Sequence, residues 1–201
     1  MSIVLISGAN RGLGLEFTRQ YAKHGWQVFA CTRHPNHPPL LQLAASHSGR
    51  VQIYELDVSD FSQIEDLTEQ LEGTPIDVLI NNAGIYPGGN KESFGSIDYE
   101  AWVEAFRINT MAPIKMAESF IENVAKSQEK KIVNITSKMG SIDDNTSGGY
   151  YLYRSSKTAL NMAVKSLSLD LASRGITTIV MHPGWVQTDM GGVQCAYHPG
   201  R

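Results

Sequence analysis

The stretch IVLISGANRGLG, residues 3–14, joins a short apolar strand directly to a glycine-rich turn. Gly8, Gly12 and Gly14 follow the strand with the spacing G-x-x-x-G-x-G, and a helical pattern begins at Leu13. In α/β sheets such a turn reverses the chain tightly and presents backbone N–H groups and a helix N-terminus to a phosphate. No Gly-Lys-Ser/Thr sequence follows, which argues against a P-loop. The stretch therefore predicts nucleotide binding at the first turn of an α/β fold, although ordinary turns also use glycine.

The rest of the chain alternates between runs rich in Val and Ile and helical patterns. Apolar runs that suit strands buried on both faces occur at 3–7, 27–31, 51–56, 76–80, 131–136 and 176–180. Helical periodicity occurs at 13–24, 40–46, 61–71, 99–125 and 151–173. This alternation favours a parallel sheet with helices on both sides, joined by right-handed crossovers. We therefore predict one α/β domain over residues 1–201, a three-layer, Rossmann-type, doubly wound parallel sheet of about six strands.

The composition excludes several classes of function. The 201 residues carry a formal net charge of −3 and no basic stripe interleaved with aromatics, so nucleic acid is not an expected partner. No apolar run reaches the ~18 residues that would span a membrane, and the N-terminus lacks the basic region of a signal peptide. Cys31 and Cys195 are too few for a disulfide framework, and the six histidines lack metal-ligand spacing. We expect a cytoplasmic protein without a metal site.

A tyrosine and a lysine stand four residues apart in YLYRSSK, residues 151–157. On a helix this spacing places Tyr153 and Lys157 on one face. A phenol has a reference pKa of about 10, and a nearby cation stabilises its phenolate, so the pair predicts a proton donor tuned toward neutral pH. Y-x-x-x-K also arises by chance. Ser137, at the end of the strand at 131–136, supports a functional role for the pair, because its hydroxyl could polarise a carbonyl there. The alternative is that Ser137 caps a turn.

The end of the second strand, CTRH at residues 31–34, distinguishes between two cofactors. NAD-binding domains usually carry Asp or Glu at this point to hold the ribose 2′-hydroxyl. Here Arg33 stands instead, and a guanidinium can bind a 2′-phosphate through two hydrogen bonds. Arg11 in the glycine turn is a second cation. The pattern favours NADP(H) over NAD(H), the alternative being that both arginines are solvated surface charges.

Seven short motifs, in order along residues 2–190, resemble the short-chain dehydrogenase/reductase family. They are SGANRGLG (7–14), LDV (56–58), NNAG (81–84), RINT (107–110), Ser137, YRSSK (153–157) and HPGWVQT (182–188). The sequences SKMGSIDDNTSGGYYLYRSSKTALN and HPGWVQTDMGG are most similar to the C-factor-like branch, which is related to small carbonyl reductases. The resemblance implies a Rossmann-type fold and hydride exchange with a nicotinamide cofactor.

The resemblance also implies roles for individual residues. Tyr153 would be the general acid/base, and Lys157 would lower its pKa and bind the nicotinamide ribose. Ser137 would orient the substrate carbonyl, and Asn109 would hold a water that connects the lysine to solvent. The residues expected to contact the cofactor are Ser7, Gly8, Asn10, Arg11, Gly12, Leu13, Gly14, Arg33, Asp57, Val58, Asn81, Ala83, Gly84, Tyr153, Lys157, Pro183, Gly184, Val186 and Thr188. By position, the candidate substrate contacts are Tyr86, Met139 and Trp185, with ordinary loop packing as the alternative.

These residues together predict an NADPH-dependent reductase of a small carbonyl compound, with hydride from the nicotinamide and a proton from Tyr153. An alternative from another class is a cofactor-binding regulatory or signalling protein with weak or no turnover. A sugar-nucleotide epimerase of the extended branch is disfavoured by the short chain and by the glycine spacing.

Two long helices and the C-terminus lead to further expectations. Helices 99–125 and 151–173 carry apolar residues around most of their circumference, which predicts a homodimer or homotetramer built through them, as in relatives. Family members continue beyond the segment that matches TDM (188–190) into another helix and a final strand. This chain instead ends with GGVQCAYHPGR (191–201), an atypical tail without amphipathic periodicity, so we expect the usual final helix and strand to be absent.

Overall fold

A computed structural model describes residues 1–47, 49–87 and 93–186 of the chain. Within them, six strands form one parallel sheet in the order β3-β2-β1-β4-β5-β6. The strands are β1 Ile3–Ser7, β2 Gln27–Thr32, β3 Val51–Glu55, β4 Val78–Asn81, β5 Lys131–Ile135 and β6 Thr177–Met181. Every predicted strand is present, with ends shifted by a residue or two. The predicted α/β fold with a Rossmann-type parallel sheet is confirmed.

Seven α-helices connect the strands within these residues. They are α1 Gly12–Lys23, α2 Pro38–Ser46, α3 Phe61–Gln70, α4 Tyr99–Phe106, α5 Ala112–Ser119, α6 Ile121–Ala125 and α7 Tyr151–Asp170. The prediction of one helix over 99–125 is wrong, because a π-helical turn at Arg107–Met111 separates α4 from α5 and Phe120 separates α5 from α6. Pro113 accounts for the first break, since it has no N–H to donate to the carbonyl oxygen of Asn109 four residues earlier.

Alternate side chains along the strands fill two separate cores, one on each face of the sheet. Leu5 and Leu79 point to the face that α3 and α5 cover. Their neighbours Val4 and Ile80 point to the opposite face, where α1 and α2 pack. Because the strands are apolar on both sides, the stable arrangement is a sheet between two helical layers.

The strand order reverses between β1 and β4, which are neighbours in the sheet. Ligands of open α/β sheets bind at such a switch point, in the crevice beyond the carboxyl ends of the strands. Ser7 ends β1, Asn81 ends β4, and Ser137 follows β5. The topology therefore brings the glycine turn, the NNAG motif and Ser137 to one edge of the sheet.

Three further expectations concern the whole chain. None of the described helices is both long enough and apolar enough to cross a membrane. The tail at 191–201 lies outside the described residues. The single domain and the cytoplasmic location stay predictions.

Candidate active site

The glycine turn between β1 and α1 has no room for a side chain at two positions. A Cβ atom on Gly14 would lie 2.2 Å from the carbonyl oxygen of Gly8, far inside van der Waals contact. Gly8 has φ +69°, in the left-handed region that glycine adopts freely, and its Cβ would lie 3.0 Å from Ala83 Cα. A tight turn and close packing of a helix against a strand are the features for which dinucleotide-binding turns use glycine.

Side chains from β1 and from the segment after β4 hold the turn in place. The Ser7 hydroxyl accepts hydrogen bonds from the backbone N–H groups of Asn82 (3.0 Å) and Ala83 (3.1 Å). In return, the Asn82 amide donates to the carbonyl oxygens of Ser7 (2.9 Å) and Gly8 (3.2 Å). The predicted cofactor residues Ser7, Gly8 and Ala83 are thus brought together at the switch point.

Asn81, which the resemblance assigned to the cofactor, points its side chain into the interior. It is 3% exposed, and its amide donates to Asn134 Oδ1 (2.9 Å) and to the carbonyl oxygen of Pro113 (3.2 Å). Consecutive residues of an extended chain face opposite ways, so Asn82 takes the place beside the glycine turn. Sequence analysis missed Asn82, although it lies in the same NNAG motif. Val58 likewise packs its side chain into the core beneath α3.

The N-terminus of α1 suits an anion better than those of α3 and α4. Asp60 caps α3 by accepting from Ser62 N–H, and Asp98 caps α4 by accepting from Ala101 N–H. At the N-cap of α1, Arg11 makes no side-chain cap, and the first turn holds no acidic residue. The first N–H groups of a helix and its dipole favour negative charge. Together with the glycine turn, this end of α1 fits the diphosphate of a dinucleotide.

The other predicted cofactor residues follow the carboxyl ends of their strands. Arg33 follows β2, and its Nη1 lies 3.9 Å from Oδ2 of Asp57, which follows β3. The remaining predicted residues on this edge are Asn10, Gly12 and Leu13 at the start of α1 and Pro183, Gly184 and Val186 after β6. Thr188 lies outside the described residues. Contacts of these residues with a cofactor stay predictions.

Ser137, Tyr153 and Lys157 meet beside the carboxyl end of β5. Tyr153 and Lys157 share one face of α7, as their spacing predicts, and both are buried, with 8% and 5% exposed. The Lys157 Nζ donates to the carbonyl oxygen of Ile135 (2.9 Å) and lies 5.9 Å from the centre of the Tyr153 ring. The Ser137 hydroxyl lies close enough to the Tyr153 phenol to lower its pKa, and it accepts from Met139 N–H (3.1 Å). Ser137 therefore both caps a turn and contacts the phenol.

Burial determines the proton affinities of this pair. The pKa of Lys157 falls to about 8, because burial removes the hydration of the charged ammonium. Burial raises the pKa of Tyr153 above its ordinary value, and the hydrogen bond with Ser137 lowers it in part. This differs from the predicted lowering of the phenol pKa by the lysine. Loss of hydration is the larger cause here, and the ammonium donates to the Ile135 carbonyl.

Asn109 connects the segment after β4 to α7. It lies in the π-helical turn, and its side chain pairs with both backbone groups of Ile85: Oδ1 accepts from the N–H (2.9 Å) and Nδ2 donates to the carbonyl oxygen (2.9 Å). Nδ2 also donates to the Ser156 hydroxyl (3.1 Å). A Cβ on Gly84 would lie 3.1 Å from Asn109 Oδ1 and 3.6 Å from Lys157 Nζ, so the two side chains approach one another. The water-holding role of Asn109 stays a prediction.

One side of the site is aromatic. The Tyr86 ring lies 4.7 Å from the Tyr153 ring, between ring centres, at an angle of 62°. Tyr150, which sequence analysis missed, places its ring 6.3 Å from that of Tyr86. Met139 is half-buried beside Ser137, whereas Trp185 is 63% exposed. Of the three predicted substrate contacts, Tyr86 is therefore the one packed against the Tyr153 phenol.

A separate apolar cavity of about 300 Å³ lies on the face of the sheet that α1 covers. Its apolar lining residues are Phe17, Tyr21, Trp26, Ile80, Val133 and Met181. None of the predicted site residues lines it, so it is distinct from the site around Tyr153. Among the described residues, no three His, Cys, Asp or Glu side chains come together as metal ligands.

Comparisons with known proteins agree with this geometry. Residues 2–195 match a family model described as short chain dehydrogenase. The C-signal protein of Myxococcus xanthus is 46% identical over 118 residues, which are 59% of this chain and 70% of that protein. The 1-hydroxy-2-glutathionyl-2-methyl-3-butene dehydrogenase of Rhodococcus sp. is 32% identical over 192 residues, 94% of this chain and 80% of that protein.

Solved structures share the fold over nearly the whole chain. The carbonyl reductase Sniffer of D. melanogaster gives a TM-score of 0.91 at 34% identity, covering 99% of this chain and 87% of that one. The NADPH-bound carbonyl reductase from chicken fatty liver gives 0.84 at 34% identity, covering 96% and 83%. The resemblance inferred from the motifs is confirmed: the chain belongs to the short-chain dehydrogenase family of oxidoreductases.

Proposed function

We propose that this oxidoreductase reduces a small carbonyl compound with NADPH. The observation that carries the proposal is the convergence of Ser137, Tyr153 and Lys157 at the sheet edge that also holds the glycine turn. A carbonyl oxygen that reaches the Ser137 and Tyr153 hydroxyls would receive two hydrogen bonds where negative charge develops during reduction.

Each residue has a defined part in the reduction. The reduced nicotinamide, when bound, supplies a hydride to the carbonyl carbon. As the π electrons move onto the carbonyl oxygen, Tyr153 gives that oxygen its phenolic proton, and an alcohol results. The Ser137 oxygen accepts from Met139 N–H, and the Ser137 hydroxyl would donate its own proton to the substrate oxygen. Lys157, with a pKa of about 8, carries its charge at neutral pH and stabilises the phenolate left on Tyr153.

The test is NADPH oxidation with a panel of aldehydes, ketones and quinones. Tyr153→Phe removes the proton donor and keeps the ring, and we expect kcat to fall by about 100- to 10,000-fold. Tyr151→Phe is the matched control, because it removes a phenolic hydroxyl from the same helix at a position outside the proposed machinery. If Tyr153→Phe turns over at the unsubstituted rate, the proposed proton transfer is wrong.

The preference for NADP(H) is supported by Arg33 and by the relatives. Arg33 follows β2, where a carboxylate would repel a 2′-phosphate, and the Arg33 side chain is half exposed. Solved relatives include carbonyl reductases with bound NADPH (chicken fatty liver) and NADP (Pseudomonas aeruginosa PAO1). The nearby carboxylate of Asp57, at 3.9 Å, is too distant and too exposed to neutralise Arg33 strongly.

We infer that α4 and α7 build a homodimer or homotetramer. Tyr99 and Val103 on α4 and Met162 and Leu169 on α7 are each 64–68% exposed. Large apolar side chains at helical spacing on a surface mark an interaction site. Sedimentation at micromolar concentration should show dimers or tetramers, and Met162→Glu should shift them toward monomers. A wild-type protein that sediments only as a monomer would contradict the inference.

A second candidate is a cofactor-binding signalling or regulatory protein with weak or no turnover. The observation that favours it is the 46% identity with a protein named C-signal. The presence of Ser137, Tyr153 and Lys157 in one cluster favours the reductase. Tight NADPH binding without reduction of any carbonyl in the panel would decide for the second candidate.

A further inference from the structure

The backbone of Tyr150 adopts a conformation that only glycine adopts without strain. Tyr150, at the N-cap of α7, has φ 52° and ψ 38°, in the left-handed region. Gly148 and Gly149 before it are also left-handed, with φ 65° and 64°. Among the described residues, Lys130 is the other non-glycine with positive φ, and it lies in the turn before β5. A strained residue beside a reactive group suggests that its side chain has a function there.

The left-handed turn places the Tyr150 ring beside Tyr86, which packs against the Tyr153 phenol. The rings of Tyr150, Tyr86 and Tyr153 form a row, with 6.3 Å between the first two centres and 4.7 Å between the last two. The turn is fixed to α7, because Arg154 N–H donates to the Tyr150 carbonyl oxygen (2.9 Å) and Arg154 Nη2 donates to the Ser147 hydroxyl (3.2 Å). Glycine or asparagine would form this turn with less strain, so the choice of tyrosine points to its ring.

We propose that Tyr86 and Tyr150 form an aromatic wall that selects carbonyl substrates with an aryl group beside the carbonyl. The proposal rests on the proposed function, because that function places the carbonyl oxygen at the hydroxyls of Ser137 and Tyr153. The substituent of such a carbonyl then lies close to Tyr86, whose ring packs against Tyr153. Tyr86 and Tyr150 are both half-buried. Aromatic rings prefer edge-to-face or offset contact with another flat ring.

The test compares two substrates of similar size, benzaldehyde and cyclohexanecarbaldehyde. The measured quantity is the ratio of their kcat/KM values, so intrinsic reactivity cancels between variants. We expect Tyr86→Leu and Tyr150→Gly to lower the ratio of benzaldehyde to cyclohexanecarbaldehyde by about 3- to 10-fold, mainly because KM for benzaldehyde rises. A change of this size corresponds to the loss of one aromatic contact. Tyr150→Phe keeps the ring and should keep the ratio within about twofold.

A purely structural role of Tyr150 makes a different prediction. Tyr150→Gly removes the left-handed strain, so its melting temperature should stay the same or rise by about 2–4 °C while the ratio falls. Lys130→Gly relieves the same kind of strain away from the site and should leave the ratio unchanged. Two results for Tyr150→Gly would overturn the proposal. One is an equal loss of kcat/KM for both substrates, and the other is a lower ratio accompanied by a lower melting temperature.

A binding measurement separates failure of the wall from failure of the proposed function. Saturation-transfer NMR on the full chain with NADP⁺ can compare benzyl alcohol with cyclohexylmethanol. If the protein reduces neither aldehyde, the proposed function fails, yet preferential binding of benzyl alcohol that Tyr86→Leu abolishes would still support the wall. Equal binding of the two alcohols would overturn it.

Discussion

The glycine turn and the region around Tyr153 lie at one edge of the sheet but are built in opposite ways. In the turn, Gly8 and Gly14 act through their backbone and through the absence of a side chain. The Tyr153 region instead assembles side chains from the π-helical turn, the end of β5 and α7. A backbone site tolerates no added atom, whereas a side-chain site depends on partners far apart in the sequence. The two regions should therefore fail in different ways.

The segment after β4 joins these two regions. Asn82 and Ala83 hydrogen-bond to Ser7 beside the glycine turn. Two residues later, Ile85 pairs through its backbone with the side chain of Asn109. A few consecutive residues thus connect the glycine turn to Asn109 in the Tyr153 region.

The largest effect should come from one atom added to the glycine turn. In Gly14→Ala, the Cβ would lie 2.2 Å from the carbonyl oxygen of Gly8 and 2.6 Å from Asn82 Nδ2, so the backbone must move. We expect the free energy of unfolding to fall by about 4 kcal/mol and NADPH binding to be lost. Urea unfolding and fluorescence titration with NADPH measure the two effects.

Gly25→Ala is the control for this substitution. Gly25 has φ +84° and no atom within 4 Å of its Cβ position, so only a backbone penalty of about 1 kcal/mol applies. NADPH affinity should not change in Gly25→Ala. If Gly14→Ala also bound NADPH normally, the turn would be more adaptable than its contacts indicate.

The second largest effect is the pH dependence of stability that the buried Lys157 ammonium should cause. The pKa of Lys157 is about 8 in the folded protein against an ordinary 10.5, so the unfolded chain holds this proton to higher pH. Below pH 8 the buried charge of Lys157 destabilises the folded protein. This destabilisation should shrink by about 2–3 kcal/mol between pH 7 and pH 10, so the free energy of unfolding should rise by that amount. Urea unfolding of the wild type and of Lys157→Met across this range measures it.

The wild type should therefore gain stability relative to Lys157→Met as the pH rises. The range stops at pH 10 because the raised pKa of Tyr153 acts in the opposite direction above its ordinary value. Lys165→Met removes a lysine from the exposed face of the same helix and should show no such pH dependence. A constant difference between wild type and Lys157→Met would mean that the ammonium is not desolvated.

The third effect tests whether distant partners hold the Tyr153 region together. Asn109→Ala leaves both backbone groups of Ile85 and the Ser156 hydroxyl without this partner. We expect the free energy of unfolding to fall by about 2 kcal/mol and kcat to fall with it, because the segment after β4 loses its link to α7. Ser156→Ala removes one of the three hydrogen bonds and should cost about 1 kcal/mol or less. Equal losses from the two variants would contradict the assigned role of Asn109.

The same contrast explains which features could be predicted from the sequence. The strands, the glycine turn and the shared face of Tyr153 and Lys157 follow from local spacing, which the chain displays directly. The interior position of the Asn81 side chain depends on its hydrogen bonds with Asn134 and Pro113. The role inferred for the Tyr150 ring depends on its contact with Tyr86. Such contacts join residues tens of positions apart, so no spacing rule reports them.

Two local signals in the sequence were nevertheless available and were not used. Pro113 stands four residues after Asn109, which is enough to predict a break in the helix over 99–125. The pair Gly148 and Gly149 directly before Tyr150 indicates a left-handed turn at the start of α7. The pKa of the phenol could not be predicted in this way, because it depends on how deeply the side chain is buried.

The smallest effect concerns Arg33 and Asp57, whose side chains lie where the 2′-phosphate of NADPH is expected. Arg33→Asp should weaken NADPH binding by about tenfold and leave NADH binding nearly unchanged, since it replaces a cation beside the expected 2′-phosphate with an anion. Asp57→Asn removes the carboxylate 3.9 Å from Arg33 and should strengthen NADPH binding by about twofold, the size expected of an exposed ion pair.

Asp66→Asn removes the same charge from the exposed face of α3 and controls for net charge. Dissociation constants for both cofactors at two salt concentrations measure these changes. Opposite shifts in Arg33→Asp and Asp57→Asn would locate the cofactor preference in this pair, whereas identical NADPH affinities in all variants would show that neither residue determines it.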